Sequence, residues 1–250
     1  MIIVKSPREI ALMREAGHIV ASVFEALRPM CVPGVTTKEL DTKAEEVIRS
    51  MGATPSFKGY GGFPGSVCIS VNDTLIHGIP GKYVLKSGDI VSLDVGANYK
   101  GYHGDACRTY PVGLISPQAE ALVRVTEESF WEAMKIIRPG VNLSDIGHAI
   151  QSYCEAHGYS LPRDYTGHGV GAQLHEDPPI PNYGAPGHGP LLKAGMCLAI
   201  EPMVNQGRRD TRVLSDGWTV KTADGKLSAH YENTIVVTET GYEVLTQLKE

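Results

Sequence analysis

Two stretches of this chain repeat each other about a hundred residues apart. PGVTTKEL begins at Pro33 and PGVNLSDI at Pro139, an offset of 106. The helical patterns that follow both run out at a glycine, Gly52 and Gly158, again 106 apart. Further on, KSGDIVSLD ends at Asp94 and KAGMCLAIE at Glu201. Their lysines (Lys86, Lys193), glycines (Gly88, Gly195) and terminal acids are all 107 apart. One such match means little, but several at nearly one offset point to two related halves. A short period would build a solenoid. One repeat of this length builds a pseudo-symmetric α/β (α+β) domain over 1–250, its halves running about 6–113 and 116–246. Each half reads helix, helix, strands.

The helix signals are local. Ser6, Pro7 and Glu9 form a capping box ahead of an amphipathic pattern, and a second Ser-Pro opens the matching helix at Ser116. IVSLDVG reads as a strand from its β-branched content and alternation. Val91, Leu93 and Val95 then share one face, and Ser92 and Asp94 the other. In MCLAIEP, Leu198 and Ile200 oppose Cys197, Ala199 and Glu201. Each terminal acid follows a small residue on its own face, which leaves room beside the carboxylate.

Two more acids enter strands. Asp105 lies 11 residues after Asp94, and Glu232 lies 31 after Glu201, so they correspond if the second half carries a longer insertion. A single acid at a strand end is ordinarily just solvated. Four at symmetric places are different. Clustered buried carboxylates raise one another's pKa and persist when cations compensate them. Two divalent cations would balance four carboxylates. Such a site suits Mn, Fe(II) or Co better than thiolate-loving zinc.

The segment DYTGHGVGAQLHEDPPIP adds His168 and His175, seven apart among glycines 167, 169 and 171 that allow close backbone approach. A centre of four acids takes one imidazole readily, and the other can then stabilise charge on a substrate. Composition narrows the alternatives. With a net charge of −5 and no Lys/Arg cluster, no direct nucleic-acid binding is expected. Five scattered cysteines, none in CxxC spacing, favour a reducing cytosol. MIIVKSPREI turns polar too early for a signal peptide, and no apolar run approaches the ~18 residues of a membrane helix.

TGHGVGAQLHEDPPIPNYG, SVCISVNDTLIHGIP, LDVGANYKGYHGDACRT, AIEPM and DGWTVKTADGKLSAHYENTIVVTETG resemble, in order and spacing, the motifs of type I methionine aminopeptidases. The resemblance runs to about residue 246. It implies a single catalytic domain with the pita-bread fold, two pseudo-symmetric halves around a curved antiparallel sheet. It further implies a cytoplasmic, monomeric metallo-exopeptidase that removes the initiator methionine from nascent chains whose second residue is small. Asp94, Asp105, His168, Glu201 and Glu232 match the ligands of two divalent ions (Co, Mn, Fe(II), Zn or Ni), Asp105 and Glu232 bridging them. A metal-bridging hydroxide would be the nucleophile. Glu201 would shuttle the proton, His175 would hydrogen-bond the scissile carbonyl, and His77 would contact the leaving side. Tyr60, Phe63, Cys68, Leu174 and Trp218 fall at the positions lining the methionine pocket, with Phe57 close by. Backbone carbonyls of Asn72, Thr74 and Ser228 match a structural Na⁺ or K⁺ site. The substrate implies transient ribosome contact, which no basic patch supports.

The chain departs from the family pattern in places. Phe63 stands where tyrosine is common and Leu174 where phenylalanine is, and Phe57 and Gly61 also differ. AHYENT replaces the commoner AQ-aromatic-EHT, so His230 and Asn233 change the surroundings of Glu232. The other histidines (18, 103, 148, 157, 188) are expected to do nothing catalytic; His103, two residues before Asp105, reads as a solvated turn in preference to a neighbour of the metal ligands. Among rivals on the same fold, prolidases and Xaa-Pro aminopeptidases usually carry an N-terminal domain, for which a pattern beginning at residue 6 leaves no room. Type II methionine aminopeptidases carry a helical insertion that is not evident between Glu201 and Glu232. Metal-free binding proteins have lost ligands, whereas all five are present here.

Overall fold

Serine and proline open the first helix as the sequence requires. In the computed structural model, which describes residues 1–248, α1 (Pro7–Leu27) starts with the Ser6–Glu9 capping box intact. Helix α2 (Thr37–Ser50) begins with Glu39 accepting from the Thr36 amide at 2.7 Å. Helix α4 (Leu143–Ala156) does the same with Asp145 and the Asn142 amide at 3.3 Å. The repeat thus reuses one physical device, an acid at the third helical position that satisfies an orphan amide. Between them, Ser116 caps α3 (Pro117–Met134) by accepting from the Ala119 amide. Gly52 and Gly158 terminate α2 and α4 with φ of 77° and 80°, a left-handed conformation that glycine adopts without penalty.

The strands are β1 (Thr54–Pro55), β2 (Cys68–Val71), β3 (Thr74–Ile76), β4 (Ile90–Tyr99), β5 (Tyr102–Pro111), β6 (Thr166–Gly169) and β7 (Glu176–Pro181). They continue with β8 (Cys197–Ile200), β9 (Met203–Asn205), β10 (Thr211–Val213), β11 (Val220–Thr222), β12 (Ser228–His230), β13 (Glu232–Val237) and β14 (Tyr242–Val244). The principal sheet runs β1-β4-β5-β13-β8-β6-β7, with β2 on β4 and β14 on β13. Its pairs are antiparallel. Strand β13 is the seam, pairing β5 of the first half on one side and β8 of the second on the other. Each half has its own apolar core. One joins α1 and α2 to β4 through Val20, Phe24, Leu40 and Leu93. The other joins α3 and α4 to β8 and β13 through Phe130, Ile146, Leu198 and Ile235.

Register decides which side chains meet. Residues directly opposite across an antiparallel pair point to the same face. Asp94 opposes Cys107, and Cys107 opposes Glu232. Asp105, two residues before Cys107, therefore shares that face. Ala199 opposes both Thr234 and His168, which carries the face across to β6. Glu201 follows Ala199 by two. Four acids and one histidine, in or directly after separate strands, are thus aimed at one side of the sheet.

Helix α1 lies very close to β5, the strand that carries Asp105. A Cβ on Gly104 would stand 2.7 Å from the Gly17 nitrogen, and one on Gly17 only 2.2 Å from the Leu245 carbonyl oxygen. Gly17→Ala is expected to cost about 1–3 kcal/mol through this overpacking. Urea denaturation should show a lower midpoint. A midpoint at or above that of the parent would mean that α1 is not clamped there.

Candidate active site

The five predicted ligands converge. His168 Nε2 lies 3.8 Å from Asp105 Oδ2 and 3.6 Å from Glu201 Oε1. Asp105, His168 and Glu232 present ligand atoms that all lie within 4.8 Å of one another. Asp94 Oδ1, Asp105 Oδ1 and Glu232 Oε1 are buried with no hydrogen-bond partner. Unpaired buried anions are among the most costly groups a fold can carry. Burial and neighbouring carboxylates push Asp94, Glu201 and Glu232 well above the usual carboxylate range. Burial raises Asp105 to about 7. A site this rich in unpaired oxygen donors fits divalent cations, which replace mutual repulsion by attraction.

His168 is prepared to join them. Its Nδ1 is 2.9 Å from the Gly169 carbonyl. A carbonyl can only accept, so Nδ1 carries the proton and Nε2 keeps a lone pair facing the acids. Burial lowers its pKa to about 4, so the ring is neutral near pH 7. Thr234 Oγ1 fixes the backbone of Asp105, accepting from its amide at 3.0 Å and donating to its carbonyl at 2.8 Å. Asn182 Nδ2 donates to the Glu201 carbonyl at 2.9 Å.

A cavity of about 160 Å³ opens on this cluster. Phe57, Tyr60, Phe63, Cys68, Leu174 and Trp218 line its apolar side. Phe57, Phe63, Cys68 and Leu174 form a buried cluster, with Trp218 packed edge-on to Phe63 at 5.2 Å between ring centroids. Drug-sized sites begin near ~300 Å³, so this space suits one side chain. His175 stands at the mouth, its ring 4.3 Å from that of His168. His77 faces Trp218 at 6.1 Å and Tyr165 at 6.4 Å. It holds φ of 56°, an uncommon conformation for a residue with a side chain, of a kind that clusters at functional sites.

The sequence model of metallopeptidase family M24 matches residues 11–239. The chain belongs to that family. This M24 peptidase is 57% identical over 248 residues to methionine aminopeptidase 1 of Bacillus subtilis, covering 99% of this chain and 100% of the relative. The crystal structure of methionine aminopeptidase from Thermotoga maritima superposes with a TM-score of 0.98 at 49% identity, over 99% of this chain and 100% of that one. Prolidase from Pyrococcus furiosus superposes less well, at 0.81 and 25% identity, with 66% of its length covered. The fold is the pita-bread fold, an α/β arrangement of helix pairs around a curved antiparallel sheet. A metallopeptidase family and a cluster of carboxylates and imidazoles together mean that the M24 peptidase binds divalent metal.

Two features of the site lay beyond the sequence, and a third was marked there without its geometry. Tyr60 does more than line the pocket, because its hydroxyl meets His175 Nδ1 at 2.8 Å across 115 residues of chain. Lys5 reaches Glu176 at 2.6 Å, both buried, and ties the N-terminal segment to the residue after His175. His230 turns its Nε2 toward Glu201 and Glu232. No local signal marks the first two; the AHYENT departure marks the third. One expectation is corrected. His103 does not lie in a solvated turn but is half-buried in β5, with Nδ1 2.8 Å from Ser56 Oγ and Nε2 2.8 Å from Asn98 Nδ2. Asn72 and Ser228 come together, the Ser228 amide donating to the Asn72 carbonyl at 2.9 Å. Thr74 begins β3, which lies against β12.

Proposed function

We propose that this M24 peptidase is a type I methionine aminopeptidase, releasing an N-terminal methionine from peptides whose second residue is small. The observation that carries the reading is the cavity itself, where one apolar slot and the five predicted ligands share a single small space. A thioether suits its aromatic and sulfur neighbours. Asp94, Asp105 and Glu232 would hold one ion, and Asp105, His168, Glu201 and Glu232 the other. When bound, the pair would lower the pKa of water from 15.7 toward about 7 and polarise the scissile carbonyl.

This chain's own groups do the rest. Glu201 takes the proton from water on its carboxylate and passes it to the leaving amine nitrogen. His175 donates from Nε2 to the carbonyl oxygen as negative charge develops there. That assignment requires Nδ1 to accept, and the Tyr60 hydroxyl is placed to donate to it. His77 stays neutral, burial holding its pKa near 4, and contacts the leaving side.

The finer assignments belong to the same reading. The metals are Co, Mn, Fe(II), Zn or Ni, and a Na⁺ or K⁺ would rest on carbonyls of Asn72, Thr74 and Ser228. The enzyme would act as a cytoplasmic monomer on nascent chains, in transient contact with the ribosome. Among the described residues, no helix is long and apolar enough to cross a membrane. Chelation tests the metal requirement. Dialysis against EDTA should abolish methionine release, and added divalent ion should restore it. Full activity in protein shown by atomic emission to hold no metal would end the dinuclear reading.

A further inference from the structure

His230 has no part in the reaction derived above, yet its placement is that of a ligand. It ends β12, two residues before Glu232, and is only 2% exposed. Its Nε2 is buried without a hydrogen-bond partner. That nitrogen lies 3.6 Å from Glu201 Oε2 and 3.8 Å from Glu232 Oε2. His168 Nε2 lies 3.6 Å from Glu201 Oε1 and 3.8 Å from Asp105 Oδ2. The two imidazoles address opposite oxygens of one carboxylate at the same spacings.

Those spacings are too long for hydrogen bonds. They fit donors that share a cation. With metal–nitrogen and metal–oxygen distances of ~2.0–2.2 Å, two ligands at angles of ~115–130° stand ~3.5–3.8 Å apart. Glu201, His230 and Glu232 form a second group whose ligand atoms all lie within 4.8 Å of one another. The backbone beneath His230 is fixed as well. Its amide donates to Thr109 Oγ1 at 3.0 Å, and its carbonyl accepts from the same hydroxyl at 2.8 Å.

We propose that His230 is a further protein ligand of the metal centre, its Nε2 binding a divalent first-row ion together with Glu201 and Glu232. The inference rests on the dinuclear reading above and extends it to a second imidazole. A second nitrogen donor beside the carboxylates moves the centre from ions that favour carboxylates alone toward those that suit imidazole. Zinc, cobalt and nickel should gain over manganese.

The test is NMR of the full chain labelled with ¹⁵N-histidine and titrated with zinc chloride. Zinc should move the Nε2 resonances of both His168 and His230 to the metal-bound range, and His230→Gln should remove one of the two. By calorimetry His230→Gln should lower zinc affinity at least ~10-fold and manganese affinity less. If the His168 resonance moves and that of His230 does not, the proposal is overturned and the five-ligand centre stands. If neither moves, the metal centre itself is misassigned and the proposal falls with it. The native protein alone gives these outcomes, so they hold even if the variant fails to fold.

Discussion

Replacing Glu201 with glutamine should reduce turnover at saturating metal by at least ~10³-fold, within the range that general acid–base groups contribute. The amide keeps an oxygen for the metal but cannot carry a proton. The main chain is held independently, because Asn182 donates to the Glu201 carbonyl rather than to its side chain. The variant should therefore fold and still take up metal. Single-turnover assays, with metal content read by atomic emission, separate loss of chemistry from loss of the ion. Near-normal turnover in the metal-loaded variant would mean that another group moves the proton.

The second large effect is at His175. Its alanine variant should lose about 10²–10³-fold in kcat, as removal of an oxyanion donor does elsewhere, with little change in metal content. His175 is placed by Tyr60 and lies at the mouth rather than among the unpartnered carboxylate oxygens. Tyr60→Phe should reproduce part of the loss, since it leaves the imidazole present but unheld. An unchanged kcat in the alanine variant would remove His175 from the reaction.

Much of this was legible in the chain. The paired halves followed from Pro33 and Pro139, Gly52 and Gly158, and the matched lysines and acids. Capping and turn chemistry act over a few residues, so a repeat in sequence becomes a repeat in structure. The direction of Asp94 and Glu201 followed from the two-residue period of a strand, and the register bears it out. The pocket was different. Phe57, Tyr60, Phe63, Cys68, Leu174 and Trp218 come from segments far apart, and resemblance alone brought them together.

What stayed hidden depends on register between distant strands. His230 lies two residues before Glu232, but β12 and β13 are separate strands flanking Tyr231, with β12 pairing β9 and β13 pairing β5 and β8, so that spacing alone did not place it against the carboxylates. His103 misled for a related reason. Its place just after Gly101 suggests solvent, but the β4–β5 hairpin sets it opposite Asn98, and β1 brings Ser56 against it. The partners that set these directions are Met203 for His230, 27 residues away, and Asn98 and Ser56 for His103, 5 and 47 residues away.

The most direct measurement is methionine release from Met-Gly-Met by metal-free protein, titrated separately with Mn, Fe(II), Co and Zn. The account predicts no release without metal and release as the centre fills, with the metals ranked by their effect. Protein that binds two divalent ions and releases no methionine with any of them would contradict it.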